Sequence, residues 1–369
     1  MTLPDSVLAW RDRLLASASF HRWASRFPLT RPIARRQAQA LFDLCAGAVY
    51  AQVLAACVQL RLFELLANGP RSTGQIAALL GVPQDSAERL LGAATALRLT
   101  ERRSTGRFGL GLLGAASLGN PGIAAMTAHG GVLYGDLADP VAFLKRGRGG
   151  TGLADFWPYA GGNRTPERSD VEPYTRLMAA SQPLVAEQVL DAYPFRRHRS
   201  LLDVGGGNGT FLAAVARRAP ELQLVLFDLP AVADLARERF QRDGLSARAR
   251  AEGGSFLHDP LPPGSDVATL IRVIHDHDDE AALAILRAVH DALAPGGTLV
   301  VAEPMSGSAA TERMGDVYFA FYLMAMGSGR VRTAPQLEDL LLRAGFVSVR
   351  SIKTPVPLLT GIITGQRSV

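Results

Sequence analysis

The chain has 369 residues and a mass of 39.3 kDa, a length that accommodates two domains of about 150 residues and excludes a single small module. With 48% hydrophobic and 20% charged residues it can bury a sizeable core, which excludes an intrinsically disordered chain. The net charge of +5 resides in the first forty residues, where seven arginines face two aspartates; the remainder is neutral, which argues against a body built to bind nucleic acid.

That first stretch, residues 1–40, reads as a basic arm. Trp10, Phe20, Trp23 and Phe27 stand among its arginines, a composition suited to an anionic membrane surface or to wrapping a partner subunit. Cys45 and Cys57 have no companion Cys/His pair at zinc spacing, so neither a disulfide framework nor a structural metal is expected, and a reducing cytoplasm fits. No charged-then-apolar leader is visible. The longest apolar run, 44–58, is too short for a bilayer span, so no integral membrane segment is expected.

Apolar residues recur at helical spacing from Leu41 to about Ala67, where Asn68-Gly69-Pro70 ends the pattern. Two short helices follow over 72–81 and 82–97, split by Gly81 and Pro83, and LRLTERRSTGRFGLG (97–111) reads as a small hairpin. Helices followed by a wing form a winged-helix pattern, whose two uses are DNA reading and dimerisation. The helix that would enter a groove offers Arg89 and Arg98 beside Asp85 and Glu88, which favours dimerisation. Residues 118 to about 170, including FWPYAGG (156–162), read as irregular connector structure. Helical periodicity resumes over Pro173–Ala192. From Ser200 strands and helices alternate, the mark of a parallel doubly wound α/β sheet. The expected organisation is therefore a basic arm (1–40), a winged-helix-like dimerisation domain (41–117), a connector (118–172) and an α/β domain (173–369).

The chemistry concentrates in that last domain. LLDVGGGNGTFLAAVARR (201–218) is an apolar strand, a glycine loop and a helix, which brings a ligand against backbone amides. Its loop is G-x-G-x-G, from Gly205 through Gly207 to Gly209, rather than G-x-G-x-x-G, and the preceding acid, Asp203, suits a cationic ligand better than a phosphate. The next strand ends in Asp228, whose carboxylate can accept both hydroxyls of a ribose. His275 follows the strand ATLIRVI, at the carboxyl edge where open sheets bind ligands; an imidazole there can remove a hydroxyl proton, and we expect it to be a general base. Glu303, ending the following strand, can orient the imidazolium. Asp276 can hold either the substrate oxygen or His275. Asp278, Asp279 and Glu280 read as a solvated helix N-terminus, and the His275/His277 pair lacks the spacing of a metal site.

These motifs, with GGSF (253–256), RVIHDHDDE (272–280), APGGTLVVAE (294–303) and GRVRTAPQLEDLLLRAGF (329–346), resemble the small-molecule O-methyltransferases. The resemblance implies a Rossmann-like class I methyltransferase domain behind an N-terminal, winged-helix-like, all-α dimerisation domain, a homodimer, and S-adenosylmethionine as cofactor. By position it implies cofactor contacts from Asp203, Gly205, Gly207, Asp228, Leu229, Ser255, Phe256 and Arg272. It implies that Met178 and Ser181 close over sulfonium and substrate. Three positions depart from the family pattern: Ser255 stands for Asp, His277 for Trp, and Val331 for a second catalytic Glu.

RFPLTRPIARRQAQALFDLCAGAVYAQVLAAC (26–57) is similar to bacterial carotenoid-pathway members, which implies methylation of the C-1 tertiary hydroxyl of an acyclic hydroxycarotenoid. Tyr322 and Met326, within the aromatic and methionine-rich stretch 314–327, are then candidates to line an apolar slot. Two alternatives remain open at this point. One is a methyltransferase of a bacteriochlorophyllide carbon or an aromatic hydroxyl; the other is a winged-helix DNA-binding regulator with a cofactor-sensing domain.

Overall fold

A computed structural model describes residues 4–157, 167–308, 311–356 and 360–369. Two compact units emerge, Met1–Gly119 and Asn120–Val369.

The first unit opens with α1 (Asp5–Leu15), α2 (Ala18–Arg26) and α3 (Arg31–Gln59). The apolar run 44–58 lies inside α3, which at 29 residues is long and apolar enough by length and composition to cross a membrane. The expectation of too short a segment is corrected for a physical reason: nothing in PIARRQAQALFD breaks a helix, so the helix begins well before the apolar run does. Leu41, Phe42, Leu44 and Val49 are all more than 60% exposed on this unit. The single helix expected to run to Ala67 is in fact two. Arg61 adopts φ 54°, and α4 (Leu62–Ala67) restarts beyond it.

Ser72 and Gln75 form a capping box at the start of α5 (Thr73–Leu80), and Gly81 ends it at φ 66°, as only glycine does without strain. Then come α6 (Gln84–Ala96) and the antiparallel wing β1 (Thr100–Arg102) and β2 (Phe108–Leu110), followed by α7 (Leu112–Leu118). Leu62, Phe63, Ile76, Leu91 and Phe108 fill the core between them. Arg89 on α6 is bound to Asp85 at 2.8 Å.

The second unit begins with helices where irregular structure was expected: α8 (Pro121–Asp136), α9 (Pro140–Arg146) and α10 (Gly152–Phe156). Residues 158–162 of the FWPYAGG stretch lie outside the described residues. The correction has a simple cause, since turns and helix N-caps use the same residues. Asn120, Asp139 and Thr151 each accept a backbone N–H of the helix that follows, and Pro121 and Pro140 occupy first-turn positions that need no donor. The long α11 (Arg168–Ala192) starts five residues before Pro173, and both Pro173 and Pro183 lie inside it.

The α/β portion comprises β3 (Ser200–Val204), α12 (Thr210–Arg218), β4 (Gln223–Asp228), α13 (Pro230–Arg242), β5 (Ala249–Gly253) and β6 (Ser265–Ile271), then α14 (Asp279–Ala292) and β7 (Leu293–Glu303). A short pair, β8 (Met305–Ser306) and β9 (Arg332–Thr333), flanks a π-helical stretch (Arg313–Phe319) and α15 (Ala320–Met326). The expected single helix over 314–327 therefore changes winding at Phe319. The chain finishes with α16 (Ala334–Arg343), β10 (Val347–Ile352) and β11 (Gly361–Gln366).

Seven strands align in the order β10-β11-β7-β6-β3-β4-β5, all running the same way except β11, which is antiparallel to both its neighbours β10 and β7. Both faces are covered, which is why the strands read as nearly unbroken apolar runs. Leu201 and Val267 pack on the face of α11, α12 and α13; Leu202 and Ala268 pack on the face of α14 and α16. The chain leaves β3 toward β4 and β5 on one side and returns to β6 and β7 on the other. The crevice beyond the carboxyl ends of β3 and β6 is thus the topological switch point, where such sheets bind ligands.

Candidate active site

Two loops meet at the switch point. Beyond β3, Gly205 and Gly207 adopt φ 70° and 59°. A Cβ on Gly206 would fall 2.6 Å from Asp203 Oδ2 and 2.8 Å from Leu226, so the loop admits no side chain on its inner side, whereas nothing lies within 4 Å of the equivalent point on Gly207. Asp228, at the end of β4, accepts from Gly207 N at 2.8 Å and Leu229 N at 2.7 Å, which holds the loop and leaves two carboxylate lone pairs unused. Asp203 is fully enclosed. Its Oδ1 accepts from Thr269 at 2.6 Å and its Oδ2 has no partner among the described residues. Burial pushes the Asp203 carboxyl up to about 7, against the Thr269 hydrogen bond.

This chemistry fits an adenosyl sulfonium. An unpartnered buried acid can receive an α-ammonium, free Asp228 lone pairs can receive ribose hydroxyls, and the open side of Gly207 admits the ligand against backbone. Ser255 and Phe256 follow β5; Ser255 N donates to Asp259 Oδ2 at 2.8 Å, and Phe256 meets His277 edge to face with centroids 5.4 Å apart.

Beyond β6 the backbone turns sharply. Arg272 takes φ 61°, a conformation that costs a non-glycine residue about 1 kcal/mol or more, and Ile274–Asp276 form a 3₁₀ turn. The same loop touches the first, because a Cβ on Gly205 would lie 2.7 Å from Val273. The Arg272 guanidinium reaches α11, donating to Ser181 Oγ at 2.8 Å and to Met178 Sδ at 3.0 Å. Three candidates from two distant segments of the sequence therefore converge.

His275 is 7% exposed and lies between two carboxylates. Glu303 Oε2 is 2.6 Å from Nδ1 and Asp276 Oδ1 is 3.0 Å from Nε2. Glu303 Oε1 accepts from Val273 N at 2.9 Å and Ile274 N at 2.6 Å, so one acid fixes both the backbone and the ring of the turn. Burial pulls the His275 imidazole down, but the two neighbouring charges overcome it and carry it up to about 10. Both ring nitrogens are engaged, and the two carboxylates favour the protonated ring.

An aromatic wall borders this ring: Phe319 stands edge-on to it at 5.6 Å, and Tyr318 and Tyr322 stack behind. Tyr322 bonds His129 of α8 at 3.1 Å, a pairing that sequence reading missed because the partners are 193 residues apart. Met326 is fully buried within that cluster, and Tyr322 is buried beside it. Val331 packs against the same cluster. Asp279 is not simply solvated as expected, because it binds the buried Arg332 at 2.7 Å; no local signal in the sequence marks that pair.

The O-methyltransferase domain model matches residues 134–347 and the O-methyltransferase dimerisation domain model matches residues 42–116. The chain belongs to the O-methyltransferase family. Demethylspheroidene O-methyltransferase of Cereibacter sphaeroides is 46% identical over 358 residues, covering 96% of this chain and 94% of that protein. The protein of the same name from Rhodobacter capsulatus is 43% identical, covering 96% and 88%. Among solved structures, the S-adenosylmethionine-dependent methyltransferase SibL aligns with TM-score 0.74 and 28% identity over 89% of this chain and 99% of its own. As a family member the chain is an S-adenosylmethionine-dependent O-methyltransferase that acts on a small molecule and forms a homodimer. The exposed apolar side chains of α3 lie largely within the matched dimerisation domain.

Proposed function

We propose that the enzyme methylates the C-1 tertiary hydroxyl of an acyclic hydroxycarotenoid, with His275 as general base. The observation that carries the reading is the buried Glu303–His275–Asp276 array beside a wall of Tyr318, Phe319 and Tyr322, in a chain 46% identical to a demethylspheroidene O-methyltransferase. When bound, S-adenosylmethionine supplies an electrophilic methyl group on a sulfonium. The residues proposed to hold it are Asp203, Gly205, Gly207, Asp228, Leu229, Ser255 and Phe256.

Glu303 holds Nδ1 protonated and thereby points the lone pair of neutral His275 along Nε2. Asp276 occupies that direction at rest, so a substrate hydroxyl must displace it before Nε2 can take the proton. A tertiary alcohol is too weak an acid to ionise beforehand; proton removal is therefore concerted with attack, and alignment in a dry site supplies much of the rate. Arg272, tied to Met178 and Ser181, fixes the covering helix, and Tyr322, backed by the fully buried Met326, contributes to the apolar wall.

We assign the basic arm to a peripheral contact with the anionic inner membrane, from which a long polyene is delivered to a cytoplasmic enzyme. Stacked Trp23 and Phe27, with Arg22 and Arg26 beside them, support this reading. Transfer of radiolabel from S-adenosylmethionine to a panel of 1-hydroxy carotenoids, phenols and bacteriochlorophyllides tests the substrate, with a methoxy carotenoid as the expected product. Label confined to a phenol or a bacteriochlorophyllide overturns it.

A further inference from the structure

We propose that Arg332, assisted by Ser328 and the backbone of Arg330, is a positioning residue that fixes the His275–Asp276 turn by holding its carbonyl groups. The proposal rests on the reading of His275 as the base and adds the element that aims it. Four consecutive carbonyls of the turn are each engaged by one short segment. Ile274 O accepts from Arg332 Nη1 at 2.9 Å, His275 O from Arg330 N at 2.9 Å, Asp276 O from Ser328 Oγ at 3.0 Å, and His277 O from Arg332 Nη2 at 2.8 Å.

Glu303 grips the same turn from its amide side, so the ring-bearing backbone is held on both faces. The approach is close enough to need glycine: Gly329 has φ 87°, and a Cβ there would lie 2.3 Å from His275 O. Arg332 is 4% exposed, and its Nε and Nη2 also bind Asp279 Oδ1 at 2.9 and 2.7 Å. Taking a guanidinium out of water is costly, and a planar fork that spans two carbonyls three residues apart is a geometry lysine cannot reproduce. Burying that group against the turn, when apolar packing would hold the segment at less cost, is what points to a role in aiming His275 and Asp276. The sub-ångström placement of a proton acceptor is worth about 10²-fold in rate.

The test uses the full-length dimeric enzyme carrying Arg332→Lys or Ser328→Ala. Turnover, KM, S-adenosylhomocysteine affinity by calorimetry and the ¹⁵N imidazole signals of His275 are measured on each. For Arg332→Lys, kcat is expected to fall about 30- to 100-fold with KM and S-adenosylhomocysteine affinity within about threefold, and the His275 signals are expected to shift and titrate at a different pH. Ser328→Ala is expected to move kcat and the same signals in the same direction, by about three- to tenfold in rate. A folded Arg332→Lys enzyme with wild-type kcat and His275 signals overturns the proposal, as does a loss traced wholly to weaker S-adenosylhomocysteine binding. Should Arg332→Lys not fold, Ser328→Ala decides alone, and unchanged kcat and signals refute the role. Full activity in His275→Ala would instead overturn the base assignment, leaving the spectroscopic test of the strap intact.

Discussion

Replacing Glu303 with glutamine probes the site with the least change of shape. The carboxylate makes three contacts: Val273 N and Ile274 N on Oε1, and His275 Nδ1 on Oε2. The amide oxygen can keep the two backbone donors, but its NH₂ group then faces Nδ1, which must become an acceptor. The proton moves to Nε2 and is taken by Asp276 Oδ1, so the ring can no longer receive a proton from substrate. In the serine-protease triad the same loss of the correct tautomer costs about 10⁴ in kcat. Here the expected fall is about 10³- to 10⁴-fold, with S-adenosylhomocysteine affinity within about threefold.

A charge-assisted hydrogen bond contributes about 1.5–3 kcal/mol, and at about 3 °C per kcal/mol for a unit of this size the melting temperature at pH 7 should drop about 6 °C. The pH dependence adds a second check. His275 has a folded-state pKa raised to about 10 above an ordinary 6.5, so its stabilising contribution is fully present below pH 6.5 and is lost as pH rises through 10. The gap in melting temperature between wild type and Glu303→Gln should therefore be largest near pH 6 and narrow as pH rises toward about 10. Radiolabelled methyl transfer and thermal scans from pH 6 to 10 measure both effects. A variant with kcat within threefold of wild type, or a gap that does not narrow, would refute the reasoning.

Four further outcomes are expected. His275→Ala should lose most turnover while S-adenosylhomocysteine binding by calorimetry persists, because the residues proposed to hold the cofactor lie at the ends of β3, β4 and β5 rather than on the His275 turn. The wild-type kcat/KM should climb about tenfold per pH unit from pH 7 toward 10, since the imidazolium must shed its proton to act; a flat profile would show that another group is the base. Gly206→Ala should destabilise the protein by about 2 kcal/mol in a denaturant titration and abolish S-adenosylhomocysteine binding, because the new Cβ collides with Asp203 and Leu226. Phe42→Glu with Leu44→Glu should yield monomers by sedimentation, as both side chains are more than 60% exposed on a unit that belongs to a dimerising family.

Much of this protein is legible locally. A strand feeding Gly205–Gly209, the acid ending β4, and His275 at the end of an apolar run are short-range patterns, because backbone approach and strand ends impose their residues within a few positions. The helices of α8–α10 were illegible for the opposite reason, since Asn120-Pro121 and Asp139-Pro140 serve equally as turns and as N-caps and only the packing around Leu133, Phe143 and Leu153 chooses between them. The same holds for α3, where the sequence determines a long apolar helix and the fold determines which of its faces remains open.

At the site, local patterns alone singled out His275 and Glu303, which the structure brings within 2.6 Å of each other. Tertiary structure decided that Asp276 sits on Nε2, that Arg272 reaches Ser181 and Met178, that His129 meets Tyr322, and that Arg332 holds the turn from 55 residues beyond His277. Those contacts join residues whose separation along the chain has no period. They exist because the β3–β6 switch point draws distant segments into one crevice, and no local pattern of side chains can encode that distance.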